Sequence, residues 1–126
     1  MIFYFSKGDV LHNQPKLIDD FGGSQGLRDE GMLESSIYTP LQTFASQDLY
    51  PTAVEKITRL SFGLAMDHPF IDGNKRIASA VLYLGLKANS FDFQASDREV
   101  IQEFLSLASG EITYMAFLSW VKSHIE

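Results

Sequence analysis

Residues 52–89 read TAVEKITRLSFGLAMDHPFIDGNKRIASAVLYLGLKAN. Val54, Ile57, Leu60, Leu64 and Ala65 recur at helical spacing, so the first part of this stretch predicts a helix with one buried face. Thr52-Ala-Val-Glu55, after Pro51, has the capping-box pattern, in which a threonine oxygen and a glutamate satisfy backbone N–H groups that the first turn leaves unpaired. Pro69 disfavours helical geometry in the residue before it, which predicts an end near Asp67. Beyond a polar loop, Ile77, Ala80, Val81, Leu84 and Leu86 predict a second helix, with Asn89 as its stop. Two helices joined by a short, chemically rich loop form the middle of the chain.

Working outward, the same period dominates. Val10, Leu11, Leu17, Ile18 and Phe21 suit a helix after Ser6, kinked or restarted by Pro15 and ended by Gly22-Gly23. A glycine-studded loop runs to Gly31, and Met32, Leu33 and Ile37 predict a short helix stopped before Pro40. A further helical stretch is expected around Leu41 and Phe44. Ser96-Asp-Arg-Glu99 repeats the capping-box pattern ahead of Val100, Ile101, Phe104, Leu105 and Leu107, and Ser109-Gly110 breaks that helix. Tyr114, Phe117, Leu118, Val121 and Ile125 predict the last one. Strand signals are confined to Ile2-Phe-Tyr-Phe5 and to Phe91 and Phe93, enough for a minor hairpin or edge strand. The expected fold is all-α, one domain over residues 1–126 with about six or seven helices.

Composition narrows the function. The 126 residues are 45% hydrophobic and include no cysteine, which excludes disulfides, thiolate metal sites and a cysteine nucleophile. No apolar run approaches the roughly 18 residues of a membrane span, and the start MIFYFSKGD lacks the layout of a signal peptide. A cytoplasmic domain with no membrane partner is expected. The net charge of -6 speaks against direct nucleic-acid binding. That charge is uneven. Between Glu55 and Lys87 five basic residues face three acidic ones, so this window is +2 and the remainder -8.

The loop His68-Pro-Phe-Ile-Asp-Gly-Asn-Lys-Arg76 lies in that window. Gly73 and Asn74 tolerate unusual backbone angles, so successive N–H groups there can converge at the start of the following helix, where the dipole favours an anion. Lys75 and Arg76 are unfavourable for that dipole in the first turn, and a bound phosphate reverses the penalty. Asp72 is a hard oxygen ligand suited to Mg²⁺, and His68 can take a proton near neutral pH. Base, metal ligand, anion nest and two cations within nine residues are an inventory for phosphate chemistry on a hydroxyl. A zinc site at His68 and Asp72 is disfavoured, because no third ligand is near.

HPFIDGNKR resembles the signature of the Fic/Doc fold, whose Fic branch reads HPFx(D/E)GNGRxxR. It is more similar to the death-on-curing (Doc) branch of type II toxins, in which lysine replaces the second glycine, as Lys75 does here. Ser79 stands where Fic proteins carry a second arginine. Residues 21–35 and Ala108-Ser-Gly-Glu111 also resemble Doc-like segments. The resemblance implies that His68 is the base, that Phe70 holds the loop from beneath, that Asp72 holds Mg²⁺, and that Gly73, Asn74, Lys75 and Arg76 cradle the phosphates of ATP. It further implies transfer of the γ-phosphate to a Ser or Thr of a translation factor, with AMP transfer as the alternative; a nucleotide-sensing module without catalysis is a second alternative. Restraint by a separate Phd-like antitoxin is expected, since Glu30-Gly31 is preceded four residues earlier by Gly26 and does not form the [S/T]xxxE[G/N] brake of many Fic proteins.

The other singled-out residues have plainer readings. His12 and His124 read as structural or surface groups, Gly22, Gly23 and Gly26 as turn residues, and Arg28 with Asp29 as a local ion pair. Gly85 marks close helix packing, and Trp120 belongs to the core.

Overall fold

The computed structural model describes residues 1–12 and 26–126. The expectations placed on Pro15, Leu17, Ile18, Phe21, Gly22 and Gly23 lie outside the described residues. Six helices are described: α1 over residues 7–12, α2 (Glu30–Tyr38), α3 (Ala53–Asp67), α4 (Asn74–Ala88), α5 (Asp97–Ala108) and α6 (Tyr114–Ser123). The fold is all-α with one small antiparallel hairpin, β1 (Thr43–Phe44) and β2 (Gln47–Asp48).

Helix α3 is the hub, packed against α2, α4, α5 and α6. Its predicted stripe is realised, with Ile57, Leu60, Leu64 and Ala65 fully buried beside Ile77, Val81, Leu82 and Leu86 of α4. The closeness of α3 and α4 rests on Gly85, where an added Cβ would lie 2.7 Å from both Cδ1 and Cγ2 of Ile57. Ser61 bridges the same pair by donating to the Ala78 carbonyl at 2.7 Å. The helix starts follow their caps. Thr52 Oγ1 accepts from Glu55 N, and Ser96 and Glu99 form the full reciprocal capping box. At Thr52 the box is incomplete, because the Glu55 carboxylate accepts from the threonine hydroxyl instead of the backbone N–H.

Three expectations require correction. The stretch around Leu41 and Phe44 is a 3₁₀ turn (Thr39–Leu41) followed by β1, not a helix, since Pro40 supplies no N–H to continue α2. The hairpin therefore forms there and not at Ile2–Phe5, whose Phe3 backbone bonds the Asn89 side-chain amide (2.8 and 3.0 Å) instead of a neighbouring strand. Phe93 makes a single bridge with Ile125, short of a strand. Leu84, Ile101 and Leu105, at apolar helical positions, are exposed; Ile101 and Leu105 join Val100 and Phe104 along a hollow between α4 and α5.

Candidate active site

The loop between α3 and α4 is shaped from both ends. Helix α3 stops because His68 adopts a left-handed conformation (φ 49°, ψ 55°), just ahead of Pro69. Helix α4 starts at Gly73, also left-handed (φ 77°), which no side chain caps. A residue bearing a Cβ would be strained at that φ, so glycine is what lets the chain turn directly into the helix. Between them Phe70 is buried at 1% exposure and anchors the loop in the core.

Asn74 has a role the sequence did not disclose. Its Oδ1 accepts from the Phe70 N–H (2.9 Å) and its Nδ2 donates to the Phe70 carbonyl (3.0 Å). The side chain is thus a clasp closing the loop upon itself, and what it can offer an anion is its backbone N–H. Asp72 turns one carboxylate oxygen onto the Gly73 N–H at 2.9 Å.

A second strand of chain holds the loop from outside. Ile71 N donates to the Gly26 carbonyl (3.0 Å), Leu27 bridges Phe70, and the N–H groups of Arg28 (2.7 Å) and Asp29 (3.0 Å) both donate to the Pro69 carbonyl. The expected ion pair between Arg28 and Asp29 does not form. Asp29 Oδ1 instead caps α2 by accepting from Met32 N at 3.0 Å. Arg28 donates through Nε to the His68 carbonyl (2.7 Å) and through a terminal nitrogen to the Asp67 carbonyl (2.9 Å). Helix-end carbonyls carry negative partial charge and lack intrahelical donors, which explains why a guanidinium settles there.

His68, Asp72, Gly73, Asn74, Lys75 and Arg76, with Ile71, line one cleft of about 310 Å³. The structure thereby brings every residue of the predicted site except the buried Phe70 to one surface. The His68 ring is half-buried, and its Nδ1 is buried with no hydrogen-bond partner among the described residues. Ser79 turns its hydroxyl back onto the Arg76 carbonyl (3.0 Å), within its own helix. A glycine-started helix N-terminus with Lys75 and Arg76 in its first turn fits a polyphosphate. Among the described residues no three His, Cys, Asp or Glu side chains gather as a metal cage. Asp72 alone fits the single protein carboxylate that Mg²⁺ needs when phosphate oxygens complete its shell.

The other histidines lie apart from this cleft. His12 is exposed on α1, and His124 pairs with Glu99 at 2.9 Å beyond the end of α6.

On this helical scaffold a histidine and the N-terminus of the next helix share one cleft, within the loop whose sequence resembles the Fic/DOC family. The family model of that name matches residues 4–86, and the chain belongs to the Fic/DOC family. Among individual proteins it is similar to the Toxin Doc of Mycolicibacterium smegmatis (strain ATCC 700084 / mc(2)155), 36% identical over 75 residues, which are 60% of this chain and 58% of that protein. The match thus spans little more than half the length of that relative. Among the described residues no helix is long and apolar enough to cross a membrane.

Proposed function

We propose that this chain is a Doc-like toxin that transfers the γ-phosphate of ATP to a Ser or Thr hydroxyl of a protein target, a translation factor. The observation that carries the reading is the shared cleft of His68 and the α4 N-terminus, with Lys75 inside the anion loop and Ser79 turned away from it. In this reading His68 takes the proton from the target hydroxyl. The backbone of residues 73–76 and the side chains of Lys75 and Arg76 hold the phosphates, and Phe70 and Asn74 keep the loop in shape. Asp72 would hold Mg²⁺, which neutralises charge on the transferring phosphoryl group when bound.

Lys75 and Ser79 favour phosphoryl over AMP transfer. A bulky cation in place of glycine narrows the nest, and a serine hydroxyl bonded to its own helix supplies no forked phosphate clamp. Restraint by a Phd-like antitoxin acting in trans completes the proposal. A segment that folds on binding needs apolar lining, and Tyr83, Phe93, Val100, Ile101 and Phe104 line a hollow of about 520 Å³ between α4 and α5. The cytoplasm, where translation factors and ATP are found, is the compartment this reading requires.

Growth tests it. Expression of the parent chain alone should arrest cells, and His68→Ala at equal protein level should not. A His68→Ala variant as toxic as the parent would remove catalysis as the source of toxicity.

A further inference from the structure

We infer that Arg28 is a positioning residue for His68, acting through the backbone at the end of α3. The inference rests on the proposed role of His68 as the base.

A histidine that moves a proton is ordinarily held by a hydrogen bond from its second ring nitrogen to a carbonyl or carboxylate. Here that nitrogen, Nδ1, is buried without a partner among the described residues, so none of them fixes the ring by such a bond. What sets the direction of the imidazole is then the backbone that carries it. That backbone is left-handed at a non-glycine residue, a conformation that persists only where its surroundings over-determine it. Arg28 supplies that constraint. Its guanidinium donates to the carbonyls of Asp67 and His68 together, at 2.9 and 2.7 Å, fixing the peptide units on both sides of the His68 Cα. Its own N–H donates to the Pro69 carbonyl at 2.7 Å, so one residue touches three successive carbonyls, those of residues 67, 68 and 69. The planar fork is what allows two carbonyls to be bridged at once; a lysine ammonium is a point charge on a flexible stem. Arg28 does not line the cleft.

The test uses the full chain as parent, Arg28→Ala and Arg28→Lys. It reads ATP affinity, the rate of γ-label transfer at saturating ATP, and the His68 Cε1–H resonance, assigned by its loss in His68→Gln. Arg28→Ala should lower the rate about tenfold or more while ATP affinity stays within about twofold, because a misdirected base costs rate and not binding. The His68 resonance should move in the same variant. Arg28→Lys should recover less than half of the lost rate, and guanidinium ion at tens of millimolar should recover part of it in Arg28→Ala but not in His68→Gln. An Arg28→Ala variant with parental rate and an unmoved His68 resonance would overturn the inference. So would ATP affinity falling in step with rate, which would put Arg28 in the phosphate cradle. If Arg28→Ala does not fold, Arg28→Lys is judged by the same rate, affinity and resonance. If the parent transfers no label, the proposed activity fails by itself, and the resonance still decides whether Arg28 positions His68.

Discussion

Removing the Asn74 side chain separates the structural reading of this residue from its assignment to the phosphates. In Asn74→Ala the Phe70 N–H loses an acceptor at 2.9 Å and the Phe70 carbonyl loses a donor at 3.0 Å. Each such bond is worth about 1 kcal/mol net, and a buried group left without a partner costs somewhat more. The site borders an open cleft, so water replaces part of what is lost. Alanine returns at most about 0.5 kcal/mol of helix propensity, and less than that in a first turn. The expected net loss is therefore about 1.5–2 kcal/mol. Unfolding midpoints move by about 4 °C per kcal/mol at this chain length, so Tm should fall by about 6–8 °C. Urea titrations of parent and variant, with slopes compared to establish two-state behaviour, give the difference directly. ATP affinity should weaken by less than in Arg76→Ala, since the loop loosens while its cations stay. A variant within about 0.5 kcal/mol of the parent that no longer binds ATP would refute this reasoning, because the amide would then be a phosphate ligand and not a clasp.

Three further outcomes are expected. Gly85→Ala should destabilise: helix propensity favours it by about 1 kcal/mol, but methyl contacts at 2.7 Å with Ile57 and 3.0 Å with Phe5 impose an overpacking cost of about 1–3 kcal/mol, and a higher Tm would contradict the packing account. His124→Ala should cost stability in a pH-dependent way. Bonds to the Trp120 carbonyl and then to Glu99 raise the His124 pKa above its ordinary 6.5, so its contribution is full below that value and is lost as pH rises through the raised one. Glu99, held down to about 2 by the Ser96 N–H and then by His124, stays charged throughout that window. Tm differences from pH 5.5 to 9 should shrink to the part the ring supplies by packing on Trp120, and a constant difference would show that it acts by packing alone. Arg76→Ala should weaken both ATP binding and transfer, measured by calorimetry and label incorporation, whereas His68→Ala should spare binding; equal loss of binding in both would make the loop merely structural.

Much of this architecture was legible because strong local signals agreed with tertiary demands. Thr52, Pro69, Asn89 and Ser96 marked helix ends where the structure has them, and the α3 stripe of Ile57, Leu60 and Leu64 became the core. The hairpin was not legible. Its turn places Ala45 and Ser46 at φ 52° and 64°, conformations for which Asn-Gly or Asp-Gly would have been the signal. Ile101 and Leu105 fit a helical stripe but stand exposed, since periodicity reveals a face without revealing what covers it. Within the site, residue types and spacing pointed to the loop, and the structure gathers them into one cleft. The Arg28 contacts and the Asn74 clasp went unseen for a common reason. Both spend their side chains on backbone atoms, Asn74 on Phe70 and Arg28 on Asp67 and His68 across some forty positions of sequence. The resemblance to a glycine-rich loop ahead of the motif was the one available hint for Arg28.

Phosphoryl transfer by His68 and the α4 N-terminus from one cleft is tested by paired labelling. The purified chain is incubated with translation factors and ATP labelled at either the α- or the γ-phosphate, with His68→Ala as the control. The expected result is γ-label on one protein target, no α-label, and neither with the variant. Label arriving only from the α-position would contradict it and make the chain an AMP transferase.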